Sequence, residues 1–404
     1  MSMVHTKADP MSFPLIQSSI LHGPKDLRIE TRTIRPPNNE EVQIAIRATT
    51  LCGSDLHYYS HFRNGDIACQ EPLTLGHESA GEVVAVGPGV RGFQVGERVA
   101  LEVGLPCGIC TLCREGRYNI CREMKFRSSA KGFPHAQGTL QERLNHPAAF
   151  VHRLPPELGV EMGALLEPLG VAIHAWRRAG VREGSRVLVF GAGAVGLLTA
   201  AVARMQGGDV RVVIADVDAG RVKFAVENGF ARRGYTVPRL RAERIEEQLA
   251  NAQKLAGEIA QVELEDEVLG QVDAVFECTG VPSCLQTAIY VTKPGGKVML
   301  IGMGTPVQTL PISAAALREV DILGVFRYAN TYPAGMGLLL RAQRSLESSQ
   351  DVPRFDKLIT HQYNGLENVE TAFQMAGKTM DEQGNLVIKV MVGLGGTEDQ
   401  QAKL

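Results

Sequence analysis

The sequence predicts a mixed α/β protein in two parts, an all-β, barrel-like unit and a doubly wound parallel sheet with helices on both faces. Three observations carry that expectation. From about residue 13 to 160, runs such as "EVQIAIRATTL", "GEVVAVG" and "GERVALEV" alternate or stay apolar between Gly and Pro punctuation, as strands and turns do. Near residue 162 the apolar spacing of "MGALLEPLGVAIHAWRRAG" becomes helical. Beyond it, "SRVLVFGAGAVGLLTAAVARMQ" passes from buried strand through a glycine turn into a helix. "VRVVIADVD", "DAVFECTG" and "GGKVMLIGMG" then continue the alternation of a parallel sheet.

Taken in order, residues 1–12 read as a tail, without the apolar core and cleavage site of a secretory signal. Residues 13–165 form the β unit and 166–310 the parallel-sheet unit, and the chain then returns over 311–404 to the first unit. There "FQMAGKTMDEQGNLVIKVMV" reads as a helix, a turn and a closing strand. Residues 232–268 are highly charged, helix-prone and longer than a strand–helix connection needs, so they read as a solvated helical insertion.

Composition narrows the function. The 404 residues are 44% hydrophobic and 21% charged, with 42 basic against 44 acidic side chains and a net charge of −2. That balance gives no electrostatic basis for binding nucleic acid or an anionic membrane. No run approaches the roughly 20 apolar residues of a membrane span. Eight cysteines without an export signal argue for a reducing, cytoplasmic setting. The terminal Ala402-Lys403-Leu404 stands one residue from a Ser-Lys-Leu peroxisomal address and leaves a peroxisomal share open.

"GAGAVG" places Gly191, Gly193, Val195 and Gly196 between a strand and a helix. The first glycine permits the tight turn, the second lets the backbone approach a pyrophosphate, and the third lets helix and strand pack closely. Asp216 ends the next strand, where a carboxylate binds both ribose hydroxyls and repels a 2′-phosphate, which favours NAD over NADP. Arg221, one turn further on, is placed either to stack on adenine or to lie on the surface. Separately, Cys107, Cys110, Cys113 and Cys121 supply four soft ligands in one loop, the number a closed tetrahedral zinc site needs. The last gap and the missing Cys-Pro disagree with common ferredoxin spacing.

"CGSDLHYY" (52–59), "GHESAGEV" (76–83), the four-cysteine lobe, "EPLGVAIHA" (167–175) and "GAGAVG" together resemble the zinc-dependent medium-chain dehydrogenases. "EPLGVAIHA" and "REVDILGVFRYANTYP" (318–333) are similar to the polyol branch, and the lobe resembles the fungal and bacterial members of that branch. The resemblance covers about residues 13–392 and implies a GroES-like β-barrel catalytic domain joined to a Rossmann NAD-binding domain. It implies Cys52 and His77 as ligands of a catalytic zinc, with Glu78 and Glu167 ligating directly or through water. Ser54 and His57 match the proton relay, and Tyr58, Phe126, Glu167, Arg327 and Tyr328 the polyol-binding positions. The backbone of Ile301, Gly302 and Met303, and of Val325, Phe326 and Arg327, would lie beside the nicotinamide. The implied activity is oxidation of a secondary hydroxyl of a sugar alcohol to a ketose with hydride transfer to NAD⁺, by a homotetramer. Dehydrogenation of another secondary alcohol or of threonine, or a non-enzymatic NAD(H) sensor, stands as the alternative.

Overall fold

A computed structural model describes residues 13–206, 208–265, 267–346 and 351–395. The tail at 1–12 and the C-terminal tripeptide lie outside the described residues. Two sheets organise the chain. The first has seven strands in the order Val151–Arg153, Arg98–Leu101, Glu78–Val86, Glu41–Thr50, Lys389–Gly393, Ile359–Asn364, with Arg143–Pro147 also pairing to Glu41–Thr50. The long Glu41–Thr50 strand is central, and its neighbours are antiparallel. Its register opposes Thr50 both to Glu78 and to Met391. Three distant stretches of sequence therefore meet where this strand ends, just before Cys52.

The second sheet is six-stranded and parallel throughout, in the order Arg233–Thr236, Arg211–Asp216, Arg186–Phe190, Val272–Glu277, Thr292–Leu300, Asp321–Gly324. The order reverses direction between Arg186–Phe190 and Val272–Glu277, and ligands of such sheets bind in the crevice at that switch point. Alternate residues of each strand face opposite apolar clusters. Val187, Val189, Val212 and Ile214 join Leu197, Leu198 and Ala201 of the helix Ala194–Gln206. Leu188, Phe190, Val213 and Ala215 join Leu255, Ile259, Leu285 and Ile289. Burial on both faces is why these strands read as continuous apolar runs rather than alternating ones. No helix among the described residues is long and apolar enough to cross a membrane.

Two expectations need correction. Residues 232–268 are not an added solvated insertion. They supply the edge strand Arg233–Thr236 and the helix Ile245–Ala260, a regular crossover of the parallel sheet. Ala252, Leu255, Ala256 and Ile259 are buried at helical spacing, while Glu246, Glu247 and Lys254 face out. The numerous charges concealed a genuine apolar stripe. Ile259→Ala is accordingly expected to cost about 2–5 kcal/mol in urea unfolding, as a core truncation does; a solvated insertion would lose almost nothing. The parallel sheet also continues past residue 310, since Asp321–Gly324 pairs with Thr292–Leu300.

Candidate metal and dinucleotide sites

The four-cysteine lobe occupies a loop containing the short helix Thr111–Arg114 and the 3-10 turn Tyr118–Ile120. Its sulfurs stand 3.9 Å apart (Cys107–Cys113), 3.4 Å (Cys110–Cys113), 3.9 Å (Cys110–Cys121) and 3.6 Å (Cys107–Cys121). A tetrahedral zinc with Zn–S bonds of about 2.3 Å sets its sulfurs about 3.8 Å apart. The four side chains fit that ion. Backbone N–H groups of Ile109 and Cys110 pull the Cys107 thiol down to about 6. Burial, then Cys110, push Cys113 up to about 12, a repulsion that a divalent cation relieves.

A second cluster forms where the three barrel strands meet. One ligand atom each from Cys52, His77 and Glu78 falls within a mutual 4.8 Å. Cys52 caps the helix Gly53–His61, with Asp55 at the third helical position returning its carboxylate to the Cys52 N–H (3.1 Å). The other oxygen of Asp55 bonds His77 Nδ1 (3.1 Å), accepts from Ser128 Oγ (2.7 Å) and accepts from the Gly76 N–H (3.2 Å). This buried aspartate fixes the imidazole and leaves Nε2 as its ligating atom, the usual carboxylate–histidine arrangement behind a metal. Burial opposes a charge on His77, yet Asp55 and Cys52 hold its pKa well above the ordinary value.

Glu78 is 1% exposed and already engaged. Lys389, itself 4% exposed, donates to Oε1 (2.7 Å) and lies 2.6 Å from Oε2, while Thr50 Oγ1 donates to the carboxylate from the facing strand. Lys389 also donates to the Leu51 carbonyl (3.1 Å). Glu167, in the first turn of the helix Leu166–Ala179, is buried beside this group but does not belong to the compact cluster of three. Burial pushes its carboxyl up to about 7, against the pull of His77 and with the push of Glu78.

Above the cluster, the Phe126 ring lies 5.5 Å from the His77 ring and carries the Arg327 guanidinium 3.3 Å from its centroid. Arg327 and Asn330 both adopt left-handed backbone, at φ 52° and 56°. The cysteine lobe holds that loop in place. Asn119 donates to the Phe326 carbonyl (2.8 Å), Asn330 donates to the Gly116 carbonyl (2.9 Å), and the Asn330 N–H meets the Tyr118 hydroxyl (2.7 Å). Tyr328 is buried with its hydroxyl unpartnered, and its ring presses on Gly170, where a Cβ would sit 3.0 Å from Cγ. Tyr58 is different, because its ring lies in the core and its hydroxyl accepts from the Ala130 N–H (3.1 Å). His57 is exposed, one turn along the same helix from half-buried Ser54.

At the switch point Gly191 takes φ 97°, and a Cβ on Gly196 would lie 1.8 Å from the Gly191 carbonyl oxygen. Asp216 accepts from the N–H groups of Ala192 (2.6 Å) and Asp218 (2.9 Å), tying the glycine turn to the end of the next strand. The cap of the following helix is Asp218, not Asp216. Arg221 crosses beside Gly193 and donates to the Val387 carbonyl (3.0 Å). Glu277, 2% exposed, binds the Thr279 and Gly280 N–H groups and receives those of Ile301 and Gly302 on its own carbonyl. Val325 continues from Leu300 through a backbone bond (2.9 Å), so the 301–303 and 325–327 segments share this end of the sheet.

Sequence reasoning missed Asp55, Lys389, Asn119 and Glu277. Two of these left a signal: an acid three residues after Cys52 suits a helix cap, and Lys389 is a lone charge in the apolar run "VIKVMV". Asn119 acts through the Phe326 carbonyl, 207 residues away, which no spacing reveals; the Glu277 carboxylate instead turns back on the Thr279 and Gly280 N–H groups, two and three residues further along.

The fold and its two ligand-ready clusters define a class of protein that pairs a dinucleotide-type sheet with metal centres on an adjoining β unit. Comparison narrows the class. The family model for the alcohol dehydrogenase GroES-like domain matches residues 38–156, and that for zinc-binding dehydrogenase matches residues 194–341. The sorbitol dehydrogenase of Gallus gallus is 38% identical over 355 residues, 88% of this chain and 91% of that protein. The L-idonate 5-dehydrogenase of Vitis vinifera is 36% identical over 375 residues, 93% of each. The crystal structure of an Escherichia coli oxidoreductase of unknown specificity superposes with TM-score 0.77 at 30% identity, covering 95% of this chain and all of that one. The chain belongs to the zinc-dependent medium-chain dehydrogenase family, in the branch that holds the sorbitol dehydrogenases. It is an oxidoreductase whose cofactors are a nicotinamide dinucleotide and zinc.

Proposed function

We propose that the protein oxidises a secondary hydroxyl of a sugar alcohol to a ketose, with NAD⁺ as hydride acceptor. The convergence of Cys52, His77 and Glu78 beneath Arg327 carries this reading. Those three residues, with Glu167 through water, would hold the catalytic zinc, which supplies Lewis-acid polarisation of the substrate hydroxyl. Asp55 keeps His77 oriented, and Lys389 balances the charge on Glu78. Ser54 and His57 carry the hydroxyl proton outward to solvent, along one face of their helix. Arg327 and Tyr328 offer donors to the remaining hydroxyls and Phe126 forms apolar wall, while Tyr58 supports the helix from the core and does not reach the substrate. Asp216 selects NAD by binding the ribose hydroxyls, and the four cysteines hold a second, structural zinc. The assembly is a homotetramer and the location cytoplasmic; light scattering that gave the mass of one chain would overturn the first.

Two outcomes test the assignments. Asp55→Asn should weaken zinc at the catalytic cluster about 10–100-fold, as loss of an oriented second partner does, with the four-cysteine zinc retained on metal analysis. Asp216→Ala should weaken NAD binding and narrow the preference over NADP; an unchanged preference would show the acid misassigned. Formation of NADH from a panel of alditols tests the reaction itself, and turnover of none would favour a simple alcohol, threonine or a sensor role.

A further inference from the structure

The loop between the strand Asp321–Gly324 and the helix Tyr332–Ser345 carries Arg327 and Tyr328. Arg327 and Asn330 both lie in the left-handed region, which residues with a side chain keep only where surrounding contacts impose it. The cysteine lobe supplies such contacts, with Asn119 on the Phe326 carbonyl, the Gly116 carbonyl on the Asn330 side chain and the Tyr118 hydroxyl on the Asn330 N–H. Arg177 adds a bond to the Asn330 carbonyl (2.8 Å).

Tyr118 is in turn held by a carboxylate outside both segments. Its hydroxyl accepts from the Asn330 N–H (2.7 Å) and donates to Glu102 Oε1 (2.5 Å). Burial, then the Glu102 carboxylate, push the phenol above its ordinary range, so the proton stays on Tyr118. Glu102 follows the strand Arg98–Leu101 and is 3% exposed. Its other oxygen accepts from His152 Nε2 (2.9 Å), and the His152 ring stacks on the Tyr332 ring with centroids 4.6 Å apart. Tyr332 is the first residue of the helix that ends the loop, and its hydroxyl donates to the Leu101 carbonyl (2.6 Å), next to Glu102. One buried carboxylate thus reaches the loop at Asn330 through Tyr118 and at Tyr332 through His152.

We propose that Glu102 is a positioning residue of the substrate cleft: through Tyr118 and His152 it holds the left-handed loop that aims Arg327 and Tyr328 at the polyol chain. This rests on the reaction proposed above and places part of the control of that site outside the cleft. It also gives the cysteine lobe a part in substrate affinity, because Tyr118 belongs to the lobe. Charge-assisted hydrogen bonds are directional, so they fix the loop more stiffly than packing alone. Loosening them leaves the metal cluster and the dinucleotide crevice in place. What is lost is binding that the polyol makes equally before and during hydride transfer, which appears in KM rather than kcat.

The test uses the zinc-loaded enzyme with sorbitol and NAD⁺. Tyr118→Phe keeps the ring and removes the hydroxyl; it should raise KM for sorbitol about 10-fold, as loss of a hydrogen bond to a charged group does, with kcat nearly unchanged. Glu102→Leu should raise KM at least as much. Glu102→Gln can accept from Tyr118 and meet His152 with its amide, and should keep most of the affinity. NADH affinity and both zincs should be retained in all three variants. Hydrogen exchange on the same proteins gives a readout independent of turnover. Amides of residues 326–332 should exchange faster in Tyr118→Phe and Glu102→Leu, while those of the helix Ala194–Gln206 should not. Sorbitol turnover with KM and loop exchange unmoved in both variants would overturn this inference and leave the polyol reading intact. A uniform loss of kcat, NADH affinity and zinc in Tyr118→Phe would also overturn it, as the mark of a group that serves folding alone. Turnover of no polyol by the unmodified enzyme would overturn the polyol reading, and this inference with it.

Discussion

Replacing Lys389 with methionine is expected to destabilise the protein by about 3–5 kcal/mol, the cost of leaving a buried charge without its partner. The ammonium sits on the closing strand Lys389–Gly393 and reaches both oxygens of Glu78 and the Leu51 carbonyl. Methionine matches the length of the side chain and removes only the charge and its donors. Glu78 would then keep a single neutral donor, Thr50, in a position 1% exposed to solvent. The same change at Lys254, an exposed partner of Glu258 at 3.8 Å, should shift stability by less than about 0.5 kcal/mol. Urea unfolding of the two variants measures the contrast. Equal small effects would mean that Glu78 does not depend on Lys389. Because Glu78 belongs to the candidate catalytic cluster, the Lys389 variant should also lose turnover, whereas the Lys254 variant should not.

Gly196→Ala should abolish productive dinucleotide binding while the four-cysteine zinc stays in place. A methyl at this position would lie 1.8 Å from the Gly191 carbonyl oxygen, and backbone cannot rotate aside as a side chain can. Relief requires the helix Ala194–Gln206 to move off the strand Arg186–Phe190, at an overpacking cost of about 1–3 kcal/mol or more. That motion withdraws the helix N-terminus from the phosphates it is positioned to bind. Fluorescence titration with NADH should show affinity lower by about 100-fold or more, in line with losing a set of charge-assisted bonds. Circular dichroism and metal analysis of the same preparation separate this local effect from a failure to fold. Near-normal NADH affinity would remove Gly196 from the account of the cofactor site.

Much of the architecture was legible because parallel strands buried on both faces must be apolar throughout, and a strand–glycine–helix junction has few other uses. The cysteine lobe was legible because its ligands are close in sequence. The region 232–268 was misread for a physical reason. Its helix lies on the outside of the sheet, so charges dominate its composition while only Ala252, Leu255, Ala256 and Ile259 touch the core. The edge strand Arg233–Thr236 has no fully buried residue and so lacks an apolar run. At the catalytic cluster the adjacent pair His77 and Glu78 could be read, but their division of labour could not. One is turned to Asp55 and the other to Lys389, partners 22 and 311 residues away. Phe126 shows the same limit, because its place between His77 and Arg327 follows from the pairing of Lys125–Phe126 with Gly104–Leu105 and not from its neighbours in sequence.

The central claim is that Cys52, His77 and Glu78 hold the zinc on which alditol oxidation depends. It is tested most directly by following NADH formation and zinc content together as a chelator is added and zinc is then restored. Activity should fall in step with loss of one zinc per chain, recover when zinc returns, and be absent in His77→Ala, which should retain the four-cysteine zinc. Undiminished turnover after the first zinc has left, or an active His77→Ala enzyme, would contradict the account.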